Sequence, residues 1–104
     1  MKSDRELLEL AARAAGIERD KAGFLSPTGL PMNWNPLTDD GDALRLAVKL
    51  RLRIVPVGPN VFEAMCRRLR SPFYAVVDDS ASDPAETTRR TIVRAAAEIG
   101  KAMP

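Results

Sequence analysis

The chain reads as an α+β protein in which three helices pack on a small, mainly antiparallel sheet. Three observations predict this. Apolar residues recur at helical spacing behind capping residues near both ends and at the centre, the period changes to two from Arg51, and turn residues separate short apolar runs. At 104 residues the chain has a common size for one domain, long enough for one core and too short for two.

The first helix is announced by Ser3 with Glu6, a capping box, after which Leu7, Leu10, Ala11 and Ala14 recur until Gly16. It is expected over about 4 to 15. Phe24-Leu25 and Leu30 to Met32 flank Ser26-Pro27-Thr28-Gly29, a turn cluster, and predict a short hairpin. Trp34-Asn35-Pro36 then leads into the second helix. Pro36 biases Asn35 away from the helical region, Thr38 or Asp40 is the expected cap, and Leu44, Ala47 and Val48 are the expected apolar stripe over about 39 to 50.

From Arg51, Leu52 and Ile54 alternate with Arg51, Arg53 and Val55, the pattern of a strand with one buried face. Gly58-Pro59-Asn60 is the expected turn. Residues 60 to 69 allow two readings. Val61, Glu63 and Met65 alternate with Phe62, Ala64 and Cys66, which favours a strand, while Phe62, Met65, Cys66 and Leu69 also fit a helical stripe behind Asn60. Phe73 to Val77, after Ser71-Pro72, reads as a further strand, and Asp78 to Ser82 as polar loop. Asp83 as cap, Pro84 at the first helical position and Glu86 open the last helix, expected over about 84 to 103 with Thr88, Ile92, Ala96, Ile99 and Met103 on one face.

These elements support a resemblance. Trp34 to Leu50, the closing Asp83-Pro84, and Thr88-Arg89-Arg90-Thr91-Ile92-Val93-Arg94-Ala95-Ala96-Ala97-Glu98-Ile99-Gly100 are similar to the small phage and prophage proteins of the phage ABA sandwich domain family, as is Glu9 to Ile17. The similarity covers about half the chain and leaves Pro56 to Ser82 unmatched. It implies a layered helix-sheet-helix sandwich and a phage or prophage origin. The family has no assigned activity, so the resemblance brings no catalytic residue with it.

Composition narrows the function classes. Apolar content of 45% with 29% charged residues is ordinary for a soluble globular protein, and with only 5% aromatics the core must be aliphatic. The net charge of +2 is too near balance to demand a nucleic-acid or membrane partner. No apolar run approaches the roughly 20 residues of a membrane-crossing helix. The single cysteine, Cys66, cannot form an internal disulfide, and the first residues lack the blocks of a signal peptide, so a reducing bacterial cytoplasm is the expected compartment. Histidine is absent, which removes the usual general base and the commonest metal ligand.

Candidate chemistry is sparse. Asp39-Asp40-Gly41-Asp42 clusters carboxylates around a glycine, but with Gly41 at the sixth place of a calcium loop, Pro36 and Ala47 would stand where carboxylates are needed. The acids are better read as complementing the helix dipole. Arg51, Arg53, Arg67, Arg68 and Arg70 against Glu63 make residues 51 to 70 basic, the candidate polyanion-binding surface, although a solvated sheet face needs no ligand. Arg89, Arg90 and Arg94 could continue that surface, but Glu86 stands four before Arg90 and Arg94 four before Glu98, which reads as helix-surface pairing. Cys66 beside Arg67 and Arg68, without a histidine, reads as a small buried residue, and Trp34 as a core plug.

No catalytic, cofactor-binding or metal-binding residue is nominated. The expected function is that of a phage or prophage accessory protein, not an enzyme, acting by binding another protein or a second copy of itself. The alternative is a nucleic-acid-binding module using Arg51 to Arg70.

Overall fold

The structure, a computed structural model, describes residues 3–21, 23–58, 61–66, 73–78 and 83–103, and for residues 66 and 73–78 the backbone alone. Among the described residues three helices and two three-stranded antiparallel sheets make an α+β architecture. Helix α1 spans Asp4–Ala15. Ser3 Oγ accepts from the Glu6 N–H at 3.2 Å, and Gly16 closes the helix at φ 74°, a left-handed conformation that glycine adopts without steric cost.

The first sheet has the order β1-β2-β3, with β1 at Arg19–Asp20, β2 at Gly23–Leu25 and β3 at Pro31–Met32. Phe24 stands opposite Arg19 on one side and Met32 on the other. The expected hairpin is therefore present, closed by Gly29 N–H to Ser26 O at 2.8 Å and Ser26 N–H to Leu30 O at 2.8 Å. Strand β1 was not expected, because two exposed charged residues carry no periodicity.

Helix α2 spans Asp40–Leu50, and two expectations for it need correction. Its cap is Asp39, not Thr38 or Asp40. The Asp39 backbone is extended and its Oδ2 accepts from the Asp42 N–H at 2.7 Å, while Thr38 belongs to the preceding turn through its N–H to Asn35 O. Leu44 and Val48 are 64% and 67% exposed, so the buried face is instead Asp42, Ala43, Leu46, Ala47 and Leu50. Both faces satisfy helical spacing, and only packing against α1 and α3 distinguishes them.

The second sheet is a meander of β4 (Leu52–Gly58), β5 (Val61–Cys66) and β6 (Phe73–Asp78). Residues 61 to 66 are thus strand, the favoured reading. Ile54 faces Ala64 and Leu52 faces Cys66 in register, and Leu52 and Ile54 pack on the core. Pro56 is tolerated because β4 is an edge strand, and the register shifts between Pro56 and Gly58. The expectations for Pro59-Asn60, for 67 to 69, for Ser71-Pro72 and for 79 to 82 lie outside the described residues.

Helix α3 spans Pro84–Ala102 and touches α1, α2, β5 and β6. Asp83 Oδ1 accepts from the Glu86 N–H at 2.9 Å, as the capping sequence predicts. The single expected face was too narrow: Thr87, Thr91, Val93, Ala95 and Ala97 are buried together with Ile92, Ala96 and Ile99, whereas Met103 is exposed. A helix enclosed on several sides needs small or self-satisfied residues there. The buried hydroxyls meet this by donating one turn back, Thr91 to Thr87 O at 2.7 Å and Thr87 to Asp83 O at 3.2 Å. Among the described residues no helix is long and apolar enough to cross a membrane.

Candidate functional site

Trp34 marks the junction of the hairpin with α2. Its side chain is buried, as the core-plug reading expects, and meets Phe24 edge-on with ring centroids 5.1 Å apart and planes at 73°. The next residues are tied down by their own polar groups. Asn35 Oδ1 accepts from the Leu37 N–H at 3.1 Å, and its carbonyl accepts from the Thr38 and Asp39 N–H groups at 3.1 and 2.9 Å. Asp42 reaches back from α2: Oδ2 accepts from the Asn35 N–H at 3.0 Å, and Oδ1 accepts from Arg45 Nη2 at 2.7 Å.

This geometry settles the role of the acidic cluster in the fold. Asp39 caps α2 and lies 4.0 Å from Arg45, Asp40 binds Arg89 at 2.6 Å, and Asp42 joins Arg45 to Asn35. Each carboxylate has a protein partner, in keeping with the cap-and-dipole reading. Among the described residues no group of three or more ligating side chains is arranged to hold a metal ion.

Around Trp34 the surface is concave. A cleft of about 690 Å³ is lined by Phe24, Met32, Asn33, Trp34, Asp39, Asp42 and Arg45. An adjoining cavity of about 400 Å³ shares Met32, Trp34 and Arg45 and adds Ala15, Ile17, Leu46 and Lys49. Sequence reading missed both, because the walls of the cleft come from the hairpin and α2, those of the cavity also from the end of α1, and no local pattern links these segments.

The nominated basic residues are only partly placed. Arg51 takes the left-handed conformation at the end of α2, with φ 54°, and Arg53 stands exposed on β4 opposite Met65. Neither side chain has an ion-pair or hydrogen-bond partner among the described residues. Arg67, Arg68 and Arg70 lie outside those residues. Cys66 sits in β5 opposite Leu52, and its side chain is likewise outside them.

Arg89 and Arg90 of α3 are interhelical ties, which corrects the reading of this arginine group as pairs along one helix surface. Arg89 donates from Nε to Leu37 O at 2.9 Å and from Nη1 to Asp40, and Arg90 donates to Asp4 of α1 at 3.1 Å. Arg94 is exposed, with no pair to Glu98 among the described residues. A further charged group went unnoticed: Glu9 accepts from both Arg19 and Arg5, the latter at 3.3 Å. The Arg19 hydrogen bond first, and Arg5 in addition, hold the Glu9 carboxyl below its ordinary value against a smaller opposing effect of desolvation. The four-residue spacing of Arg5 and Glu9 was the available signal, but Arg19 arrives only through β1.

Compared with known proteins, the chain matches no family model, no curated protein and no solved structure.

Proposed function

We propose that the chain is a non-enzymatic accessory protein of phage or prophage origin, working in the bacterial cytoplasm by binding another protein or a second copy of itself. The observation that carries this reading is the outer face of α2. Leu44 and Val48, four residues apart and therefore neighbours on the helix, are 64% and 67% exposed, although the opposite face of the same helix already supplies the core. Apolar side chains left uncovered in pairs on a rigid helix mark interaction surfaces more often than isolated ones do. The resemblance to the phage ABA sandwich domain family supports the origin and adds no activity.

The test is a photo-reactive residue placed at position 48, with position 94 on α3 as the exposed control, in cells producing the protein. Discrete adducts from position 48 that vanish on Leu44→Glu support the reading. Equal adducts from both positions sink it. Light scattering on the purified chain separates the two partners, since a strict monomer at high concentration excludes self-association.

A second reading has its own observation: Arg51 and Arg53 are exposed cations without a partner among the described residues. In a nucleic-acid-binding module they would join Arg67, Arg68 and Arg70, and binding would fall steeply with salt. Fluorescence anisotropy with single- and double-stranded DNA decides it. Binding unchanged in the Arg67→Ala, Arg68→Ala double variant removes the idea.

A further inference from the structure

We propose that the cavity between α2, the end of α1 and the β2–β3 hairpin is a binding site for a small amphipathic carboxylate. Its apolar chain lies against Trp34 and Leu46, and its anionic end meets Lys49.

The walls come first. Ala15, Ile17, Met32, Trp34 and Leu46 give the cavity of about 400 Å³ a mainly apolar lining. That size falls within the roughly 300 to 1,000 Å³ of small-molecule sites, which combine apolar walls with a few polar groups that fix orientation. Water in such a space meets few hydrogen-bonding partners, so an apolar chain displaces it favourably.

Charge then selects the ligand. Three ionisable side chains border the cavity: Asp42, Arg45 and Lys49. Asp42 is already engaged by the Asn35 N–H and by Arg45, and the Arg45 guanidinium is correspondingly engaged by Asp42 at 2.7 Å with Asp39 at 4.0 Å. The pair offers no uncompensated charge. The Lys49 side chain has no ion pair or hydrogen bond among the described residues, so of the three ionisable groups in the lining it is the one whose charge no partner engages, while Asp39, outside the lining, faces Arg45. A single cation beside apolar walls favours a monoanion with an apolar body over a neutral or cationic one of the same shape. A polyanion would leave the walls unused.

This site is independent of the protein-binding reading, since Leu44 and Val48 are not among its walls. Trp34 is the sole tryptophan of the chain, so its emission reports on the cavity directly. The experiment titrates the full chain with sodium octanoate, octan-1-ol and octylammonium chloride while following Trp34 fluorescence, and maps octanoate by amide chemical shifts. The expected result is a saturable octanoate response about tenfold tighter than that of octanol, the scale of one charge-assisted contact, with octylammonium weakest. Shift changes should centre on Ile17, Met32, Trp34 and Leu46. Lys49→Met and Lys49→Gln should bring octanoate down to the level of octanol and leave octanol unchanged, with circular dichroism verifying that both variants fold. The proposal is overturned by the absence of a saturable response at millimolar octanoate, by shift changes centred elsewhere, or by an octanoate preference that survives both Lys49 substitutions.

Discussion

Gly100 of α3 lies directly against the Leu10 carbonyl of α1, so that a Cβ built on the glycine would stand 1.9 Å from the oxygen and 2.8 Å from its carbon. The neighbouring buried residues are Ala11 on α1 with Ala96 and Ala97 on α3, small side chains that permit the two axes to approach. Glycine at this place is a packing requirement, because its backbone is ordinary helix and needs no special φ.

Gly100→Ala therefore tests which of two opposed effects wins. Helix propensity alone would favour alanine by about 1 kcal/mol. The obstructing atoms belong to backbone and cannot swing aside, so α1 and α3 must separate, at a cost of about 3 kcal/mol. Net destabilisation of about 2 kcal/mol in urea unfolding is expected. A variant as stable as the parent would mean that the helices are farther apart.

Asp42 is expected to matter more than any exposed acid of the same cluster. Asp42→Ala leaves the Asn35 N–H without its acceptor at a partly buried position and frees Arg45, and should cost about 2 kcal/mol. Asp42→Asn retains an acceptor and should cost less. Hydrogen exchange at the Asn35 amide is the specific readout, and it should accelerate in the alanine variant beyond any global change.

The two partners of Arg89 allow a graded prediction. Asp40 is 80% exposed at its side chain, so Asp40→Asn should change stability by less than about 1 kcal/mol. Arg89 is only 17% exposed and also donates to Leu37 O, whose acceptor role no water readily replaces, so Arg89→Ala should cost about 2 kcal/mol. Equal effects from both substitutions would assign the stabilisation to the ion pair alone.

The legible parts of this fold were those in which a local signal and the tertiary answer coincide. Ser3 with Glu6, Asp83 with Pro84 and Glu86, and the Ser26 to Gly29 turn are completed within a few residues of themselves, and the structure places them as expected. The errors arose where two local answers were degenerate. On α2, Leu44 with Val48 and Ala43 with Leu46 both satisfy helical spacing, and only contact with α1 and α3 assigns the inside. At the cap, Thr38, Asp39 and Asp40 are all competent, and the turn begun by Asn35 fixes the register. The cavity beside Lys49 was illegible for a stronger reason: Ile17, Met32 and Leu46 come from three elements whose proximity no spacing encodes.

Glu9 carries the pH dependence that the structure makes explicit. Its carboxylate is held below its ordinary value of 4.5 chiefly by the Arg19 hydrogen bond, with Arg5 adding to it. A carboxyl whose folded pKa is depressed binds fewer protons folded than unfolded. Its contribution is therefore fully present above the unfolded value near 4.5, and is lost as pH falls through the lower folded value. Glu9 and Arg19 are each more than one-third exposed at the side chain, so the effect is modest and salt-sensitive. Glu9→Gln should be less stable than the parent at neutral pH, and the difference should shrink as pH is lowered beneath 4.5 and as salt is raised. Unfolding curves of the two proteins measured at several pH values provide the check. A stability difference that stays constant through that acid window would show that Glu9 supports the β1 junction by packing and not by charge.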